Sequence, residues 1–132
     1  MPRSFSKHPL RLRASSSLLL ALLVLSFQVS AEQKIRANQA NLHVGETVLV
    51  CGSVAQVTIR PKVTYLNLDK AFPNHSLGLL IWQSDVPAFE KRFGKLSAMQ
   101  GERVCAHGTI EEYRQHLQMK IVNPQYLRTM DP

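Results

Sequence analysis

Alternating apolar and polar residues, interrupted by glycine, proline and asparagine, run through most of the chain. Alternation of this kind is typical of strands that bury one face. It predicts strands over residues 47–59, 63–68 and 77–82, and two more over 103–113 and 117–122. The third of these is apolar on both faces, so we expect it to be covered on both. The pattern predicts an all-β fold of five short strands.

Two of the predicted strands resemble each other. The segment 45–54 returns 56 residues later as 101–110, and each copy holds a turn glycine, a β-branched strand and a second glycine seven positions after the first. The second glycines, Gly52 and Gly108, fall inside strands, where glycine marks a bulge, a bend or a close backbone approach. Two bent strands predict a small barrel rather than a flat sheet.

One segment has the spacing of a helix instead of a strand. Val86, Phe89, Phe93 and Leu96 recur at intervals of three, four and three, and Pro87 suits a first helical turn. This apolar stripe predicts a helix that packs on the core and covers one end of the barrel. We therefore expect no ligand role for its two phenylalanines.

The first residues have the three parts of a secretory signal peptide. Four basic residues within positions 1–13 precede an apolar run over 18–27, and small residues follow at 29–31. The run is shorter than the ~20 residues that span a bilayer, which favours cleavage over a retained anchor. The sequence predicts a signal peptide over residues 1–31, a single domain over 32–132, and a periplasmic or secreted bacterial protein.

Removal of this leader changes the charge. The chain has sixteen Lys and Arg residues and nine Asp and Glu residues, and four of the basic ones belong to the leader. The remaining twelve basic and nine acidic residues give a net charge of +3 with histidine neutral. Such a mildly basic domain lacks the polycationic arm of many nucleic-acid-binding proteins.

The predicted order of strand, strand, strand, helix, strand, strand is that of the OB-fold. The chain also resembles, over about residues 40–127, the nucleic-acid-binding OB domains related to the anticodon-binding module, in the small version of exported bacterial proteins. The motifs that carry this likeness include Gly52-Ser-Val54, Tyr65-Leu-Asn-Leu68, Leu80-Ile-Trp82 and Gly108-Thr-Ile110. The resemblance implies a five-stranded Greek-key OB-fold barrel with one α-helix between strands 3 and 4.

The resemblance also implies a binding face. In an OB barrel, the loops after the first and fourth strands flank a face formed mainly by the second and third strands. Cations near exposed aromatic rings on such a face suit single-stranded nucleic acid. These residues can also have structural roles alone, because charged residues are expected in turns and a tyrosine can pack against a cross-strand neighbour. The candidate ligand-binding residues are Arg60, Lys62, Tyr65, Asn67, Arg114 and His116.

The turn between the fourth and fifth strands departs from the family. Such hairpins often contain a glycine, whereas residues 113–116 read Tyr-Arg-Gln-His. We therefore expect a longer turn here.

The two cysteines are candidates for a disulfide. Cys51 and Cys105 both follow the predicted cleavage site, which would place them where disulfides persist. Alternation directs both side chains away from the barrel interior, and the resemblance implies that their strands are neighbours. The alternative is two separate thiols that are out of register.

The sequence gives little support for a metal site or a catalytic site. The histidines are scattered without ligand spacing, and the acidic residues form no set of nucleophile, base and orienting group. We expect no metal, no cofactor and no catalytic residue. The predicted partner is single-stranded DNA or RNA, or a similar anionic oligomer. The alternative is a cell-envelope module that binds a protein or a glycan. A third hypothesis, which rests on the family resemblance alone, is an accessory subunit of a separately encoded nuclease.

Overall fold

The computed structural model describes residues 24–28 and 32–130. The strands are β1 Lys34–Arg36, β2 Thr47–Ile59, β3 Val63–Leu68, β4 Leu77–Trp82, β5 Arg103–Thr109, β6 Glu111–Tyr113, β7 His116–Lys120 and β8 Leu127–Met130. One α-helix, α1, covers Val86–Phe93, and 3-10 helices cover Ala37–Leu42, Leu96–Met99 and Pro124–Tyr126. The predicted signal peptide lies mostly outside the described residues and stays a prediction. Within those residues, no helix is long and apolar enough to cross a membrane.

The strands form one strongly bent sheet in the order β6-β7-β4-β3-β2-β5-β8, with β1 paired in parallel to β2. Strand β2 joins the two halves of the sheet: residues 47–53 pair with β5, and residues 54–59 pair with β3, with a register shift between Val54 and Gln56. Strand β7 pairs in parallel with β4, so the β6–β7 hairpin forms the edge of the sheet next to β4.

The hydrogen-bonded ladder does not close into a complete barrel. Ile110 separates β5 from β6, and its carbonyl accepts a hydrogen bond from the Gly45 amide at 2.7 Å. The Ile110 amide donates in turn to the Glu46 carbonyl at 3.0 Å. The predicted single strand over 103–113 is therefore divided at this residue. The all-β class is confirmed, with eight strands rather than five among the described residues, because this division adds β6 and two further short strands, β1 and β8, pair with β2 and β5.

Both in-strand glycines lie at close approaches, as predicted. A Cβ atom on Gly52 would lie 2.9 Å from the Cβ of Ala37, and one on Gly108 would lie 2.7 Å from the Cγ of Met119. Each distance is shorter than carbon atoms tolerate, so only a hydrogen fits. The curved sheet wraps around a core in which α1 inserts Phe89 with no exposed surface.

The predicted disulfide is present. Cys51 and Cys105 face each other directly in the β2–β5 ladder, with their Cα atoms 4.1 Å apart. Their side chains lie on the outer face, yet they are almost completely buried. Strand β1 pairs with β2 beside Cys51, and the Sδ atom of Met130 in β8 lies 3.1 Å from the Cys105 sulfur.

Candidate nucleic-acid interface

A groove of about 540 Å³ lies on the sheet between the loop over residues 69–76 and the β6–β7 hairpin. Strands β2 and β3 form its floor, since their residues 56, 58, 65 and 67 line it. The lining residues are Gln56, Thr58, Arg60, Tyr65, Asn67, Phe72, His75, Gly78, Tyr113, Arg114, His116, Leu117 and Gln118. We call this feature the groove.

The structure brings five of the six predicted site residues into the groove, namely all except Lys62. Lys62 lies in the short turn between β2 and β3, where its carbonyl accepts a hydrogen bond from the Gln83 amide at 2.9 Å. This contact ties the backbone of Lys62 to the far end of β4, and its exposed side chain does not line the groove. The predicted contact role of the other five stays a prediction.

The hairpin turn is shorter than predicted. Tyr113 pairs with His116, so the connection contains only Arg114 and Gln115. These two residues have φ angles of 46° and 68°, the left-handed values that a two-residue type I′ turn requires. The expectation of a longer turn is wrong because both residues adopt the conformation that glycine or asparagine usually supplies. The turn places the Arg114 guanidinium carbon 5.2 Å from the centre of the Tyr113 ring.

We expect Gln115→Gly to raise the free energy of unfolding by about 0.5–1 kcal/mol. A left-handed residue with a side chain costs roughly 1–2 kcal/mol, and the greater flexibility of unfolded glycine offsets part of the gain. Urea denaturation measures the change. Gln100→Gly is the matched control, because Gln100 is also exposed but has a φ of −58°. Equal losses of stability in the two variants would contradict this reading.

Three rings form a cluster at one wall of the groove. The ring centre of Phe72 lies 5.0 Å from that of His116 and 5.6 Å from that of His75, and the two imidazoles are 5.3 Å apart. Phe72 is 59% exposed, so most of its surface is open to a ligand. The sequence analysis did not identify Phe72 and His75 as site residues because both lie in a segment whose composition predicts a turn. The one feature in this segment that could have indicated a binding role is an aromatic residue beside a proline.

His75 is neutral at physiological pH. Its burial lowers the pKa of the imidazole below the usual 6.5, and the nearby His116 lowers it further. Its Nδ1 atom is buried without a hydrogen-bond partner. The ring therefore acts in the cluster as an uncharged aromatic surface.

A pair of side-chain amides fixes the floor of the groove. The Oε1 atom of Gln56 accepts hydrogen bonds from Asn67 Nδ2 and from the Phe72 amide, both at 2.9 Å. These bonds join β2, β3 and the base of the 69–76 loop. Asn67 is only 3% exposed, so its main contribution is to position this loop rather than to present a large contact surface.

The groove is cationic. Two arginines, Arg60 and Arg114, line it, and it contains no carboxylate among the described residues. Glu111 stands beside it, where it accepts a hydrogen bond from Gln118 Nε2 at 2.9 Å and lies 3.4 Å from the Lys120 ammonium. Over the described part of the chain, no three histidine, cysteine or acidic residues are grouped to hold a metal ion.

Comparison with known proteins identifies the architecture. The sequence matches no family model and no curated protein. The fold is similar to an OBody bound to hen egg-white lysozyme, with a TM-score of 0.53 and 18% identity over 78% of this chain and 98% of the other. It is also similar to the asparaginyl-tRNA synthetase of Entamoeba histolytica, with a TM-score of 0.52 and 12% identity over 76% of this chain.

The aspartyl-tRNA synthetase of the same organism matches with a TM-score of 0.51 and 12% identity over 77% of this chain. This chain spans only 24% and 23% of the two synthetase chains. Together with the strand order, these similarities show that the described domain has an OB-fold.

Proposed function

We propose that this protein is an exported, non-catalytic OB-fold binding protein that holds single-stranded DNA or RNA in the groove. The observation that carries the proposal is the composition of the groove lining. Two arginines, three aromatic rings and two histidines converge there without a carboxylate among them. Cations that meet phosphates, interleaved with rings that stack on bases, are the usual surface for single strands.

The geometry allows each group to act. Phe72 is 59% exposed and Tyr113 is 53% exposed, so each can stack on a base. Base stacking on an aromatic side chain contributes roughly 1–3 kcal/mol. Arg114 lies over the Tyr113 ring and can reach the phosphate beside a base stacked there. Arg60 stands at the end of β2, where the same groove begins.

Two further observations support the proposal. Two of the similar structures are enzymes named for tRNA, so the architecture suits proteins that work with nucleic acid. The bridge between Cys51 and Cys105 supports export, because disulfides persist in oxidising compartments. The bridge also agrees with the predicted signal peptide.

A protein ligand is the second candidate. The OBody is a similar structure that is bound to a protein, and Phe72, Tyr113 and the half-buried Leu117 give this groove an apolar component. The two candidates differ in their salt dependence. Binding to phosphates weakens steeply as salt rises because counterions are released, whereas an apolar protein contact depends on salt much less.

We expect the Arg60→Ala/Arg114→Ala variant to bind a fluorescein-labelled dT12 roughly 60-fold more weakly than the wild type at 50 mM salt. This figure assumes two lost phosphate contacts, each contributing about 0.7 to the slope of log K against log salt. The slope itself should fall by about 1.4. Fluorescence anisotropy over a series of salt concentrations measures both quantities.

The control is Lys91→Ala/Lys95→Ala, which removes the same charge from exposed positions outside the groove. We expect it to change dT12 binding by less than about twofold if phosphates are bound locally. No binding of dT12 by the wild type at 20 mM salt would exclude the nucleic-acid proposal and leave the protein ligand. Equal losses in the two double variants would show a general charge effect instead of a site.

A further inference from the structure

We propose that a bound single strand extends beyond the groove, crosses the 69–76 loop, and places its phosphates in a second cationic cleft beside the disulfide. This inference rests on the proposed function and adds a second binding site to it. We call the second feature the disulfide cleft. It comprises two adjoining hollows, of about 460 and 530 Å³, that share Arg36, Cys51 and Arg103.

The strand pairing explains how the two arginines come together. Arg36 in β1 lies opposite Cys51 in β2, and Arg103 in β5 lies opposite Ser53 two residues further along. The two arginines therefore flank β2 on its outer face, and both are exposed. The disulfide between β2 and β5 holds this part of the surface in a fixed register.

Charge in the disulfide cleft is poorly compensated. Four cations line it, Lys34, Arg36, Lys70 and Arg103, against one carboxylate, Asp69. Among the ion pairs of the described residues, none involves any of these five side chains. Cations that share a cleft repel one another, and an anion removes that repulsion. A guanidinium group binds a phosphate or a carboxylate through two parallel hydrogen bonds, so the phosphates of the proposed single strand suit this cleft.

Glycine allows the floor of the disulfide cleft to pack closely against its neighbours. A side chain on Gly52 would meet the Ala37 Cβ at 2.9 Å and the Asp69 Oδ1 at 3.1 Å. Backbone polar groups and the Ser53 and Asn74 side chains complete a polar surface.

The 69–76 loop connects the two sites. Phe72 and His75 line the groove, while Lys70 and Asn74 from the same loop line the disulfide cleft. A strand whose base stacks on the exposed Phe72 therefore has cations on both sides of the loop. Single strands occupy about 4–16 nucleotides per OB-fold, so we expect dT12, and not dT4, to extend from the groove to the disulfide cleft.

The test compares short and long oligonucleotides, dT4 and dT12, both labelled with fluorescein. We expect Arg36→Ala/Arg103→Ala to weaken dT12 binding roughly 60-fold at 50 mM salt, as for two lost phosphate contacts. The salt slope for dT12 should fall by about 1.4, while dT4 binding stays within about twofold of the wild type. Arg60→Ala/Arg114→Ala should weaken both oligonucleotides, and Lys91→Ala/Lys95→Ala should weaken neither.

A second measurement locates the contacts. In spectra of the ¹⁵N-labelled domain, dT4 should shift signals of groove residues, and dT12 should also shift those of Arg36, Ser53 and Arg103. Unchanged dT12 binding in Arg36→Ala/Arg103→Ala would overturn this inference, while the proposed function would stand if Arg60→Ala/Arg114→Ala still weakened binding. Equal weakening of dT4 and dT12 by Arg36→Ala/Arg103→Ala would overturn it too. Failure of the wild type to bind either oligonucleotide would remove both proposals.

Discussion

Replacement of both cysteines by alanine, as Cys51→Ala/Cys105→Ala, is expected to lower the free energy of unfolding by about 4 kcal/mol. The bridge joins residues that are 54 positions apart, so it removes a large amount of chain entropy from the unfolded state. Both cysteines are buried, so the loss of their sulfurs also leaves unfilled space. A loss of this size is a large fraction of the 5–15 kcal/mol that stabilises an ordinary domain.

Urea denaturation of protein purified from an oxidising compartment measures this loss. The wild type unfolded in the presence of a reductant is the matched control, because it lacks the bridge but keeps both side chains. We expect reductant to destabilise the wild type by several kcal/mol and to leave the double variant unchanged. A loss below about 1 kcal/mol in the variant, or free thiols on the oxidised wild type, would contradict a structural role for the bridge.

The strands that the sequence predicts well are those whose pattern is local. Residues 47–59, 63–68 and 77–82 have the predicted bounds, because alternation and flanking turns define each without reference to the rest of the chain. Strands β1 and β8, of three and four residues, were missed. Their pairing with β2 and β5 is decided by distant segments, and so short a run carries no readable alternation.

The disulfide illustrates the same difference. Alternation correctly placed Cys51 and Cys105 on the outer face of their strands, yet both residues are buried. Strands β1 and β8 pair beside β2 and β5 there, and Met130 of β8 contacts the Cys105 sulfur. The predicted pairing was confirmed, whereas the burial depended on elements that the pattern could not indicate.

The groove was only partly predictable. Arg60 and Arg114 were found from loop positions that the family resemblance implies, and the structure places both in the groove. Phe72 and His75 contact His116, which follows them by 41 residues or more in the sequence. The parallel pairing of β4 with β7 brings these segments together, and a local pattern does not reveal that pairing. The turn at Arg114 was misjudged because side-chain-bearing residues rarely adopt two successive left-handed conformations.

The second large effect is expected for Phe89→Ala, which should lower the free energy of unfolding by about 3–5 kcal/mol. Phe89 has no exposed surface, and its ring centre lies 6.4 Å from that of Phe93 on the same helix face. Removal of the ring leaves a cavity in the core under α1. Alanine favours helices, so the loss reports packing rather than helix propensity. Phe89→Leu, which fills most of the space, should cost less.

Lys91→Ala is the matched control within α1, because it changes the same helix at an exposed position. Its stability should change by less than about 0.5 kcal/mol. If the helix serves only the core, the folded fraction of Phe89→Leu should bind dT12 as tightly as the wild type. Weaker binding by folded Phe89→Leu, together with a small stability loss in Phe89→Ala, would contradict the packing role and connect α1 to the groove. Unaltered binding with a large stability loss would show that α1 supports the core and takes no part in dT12 binding.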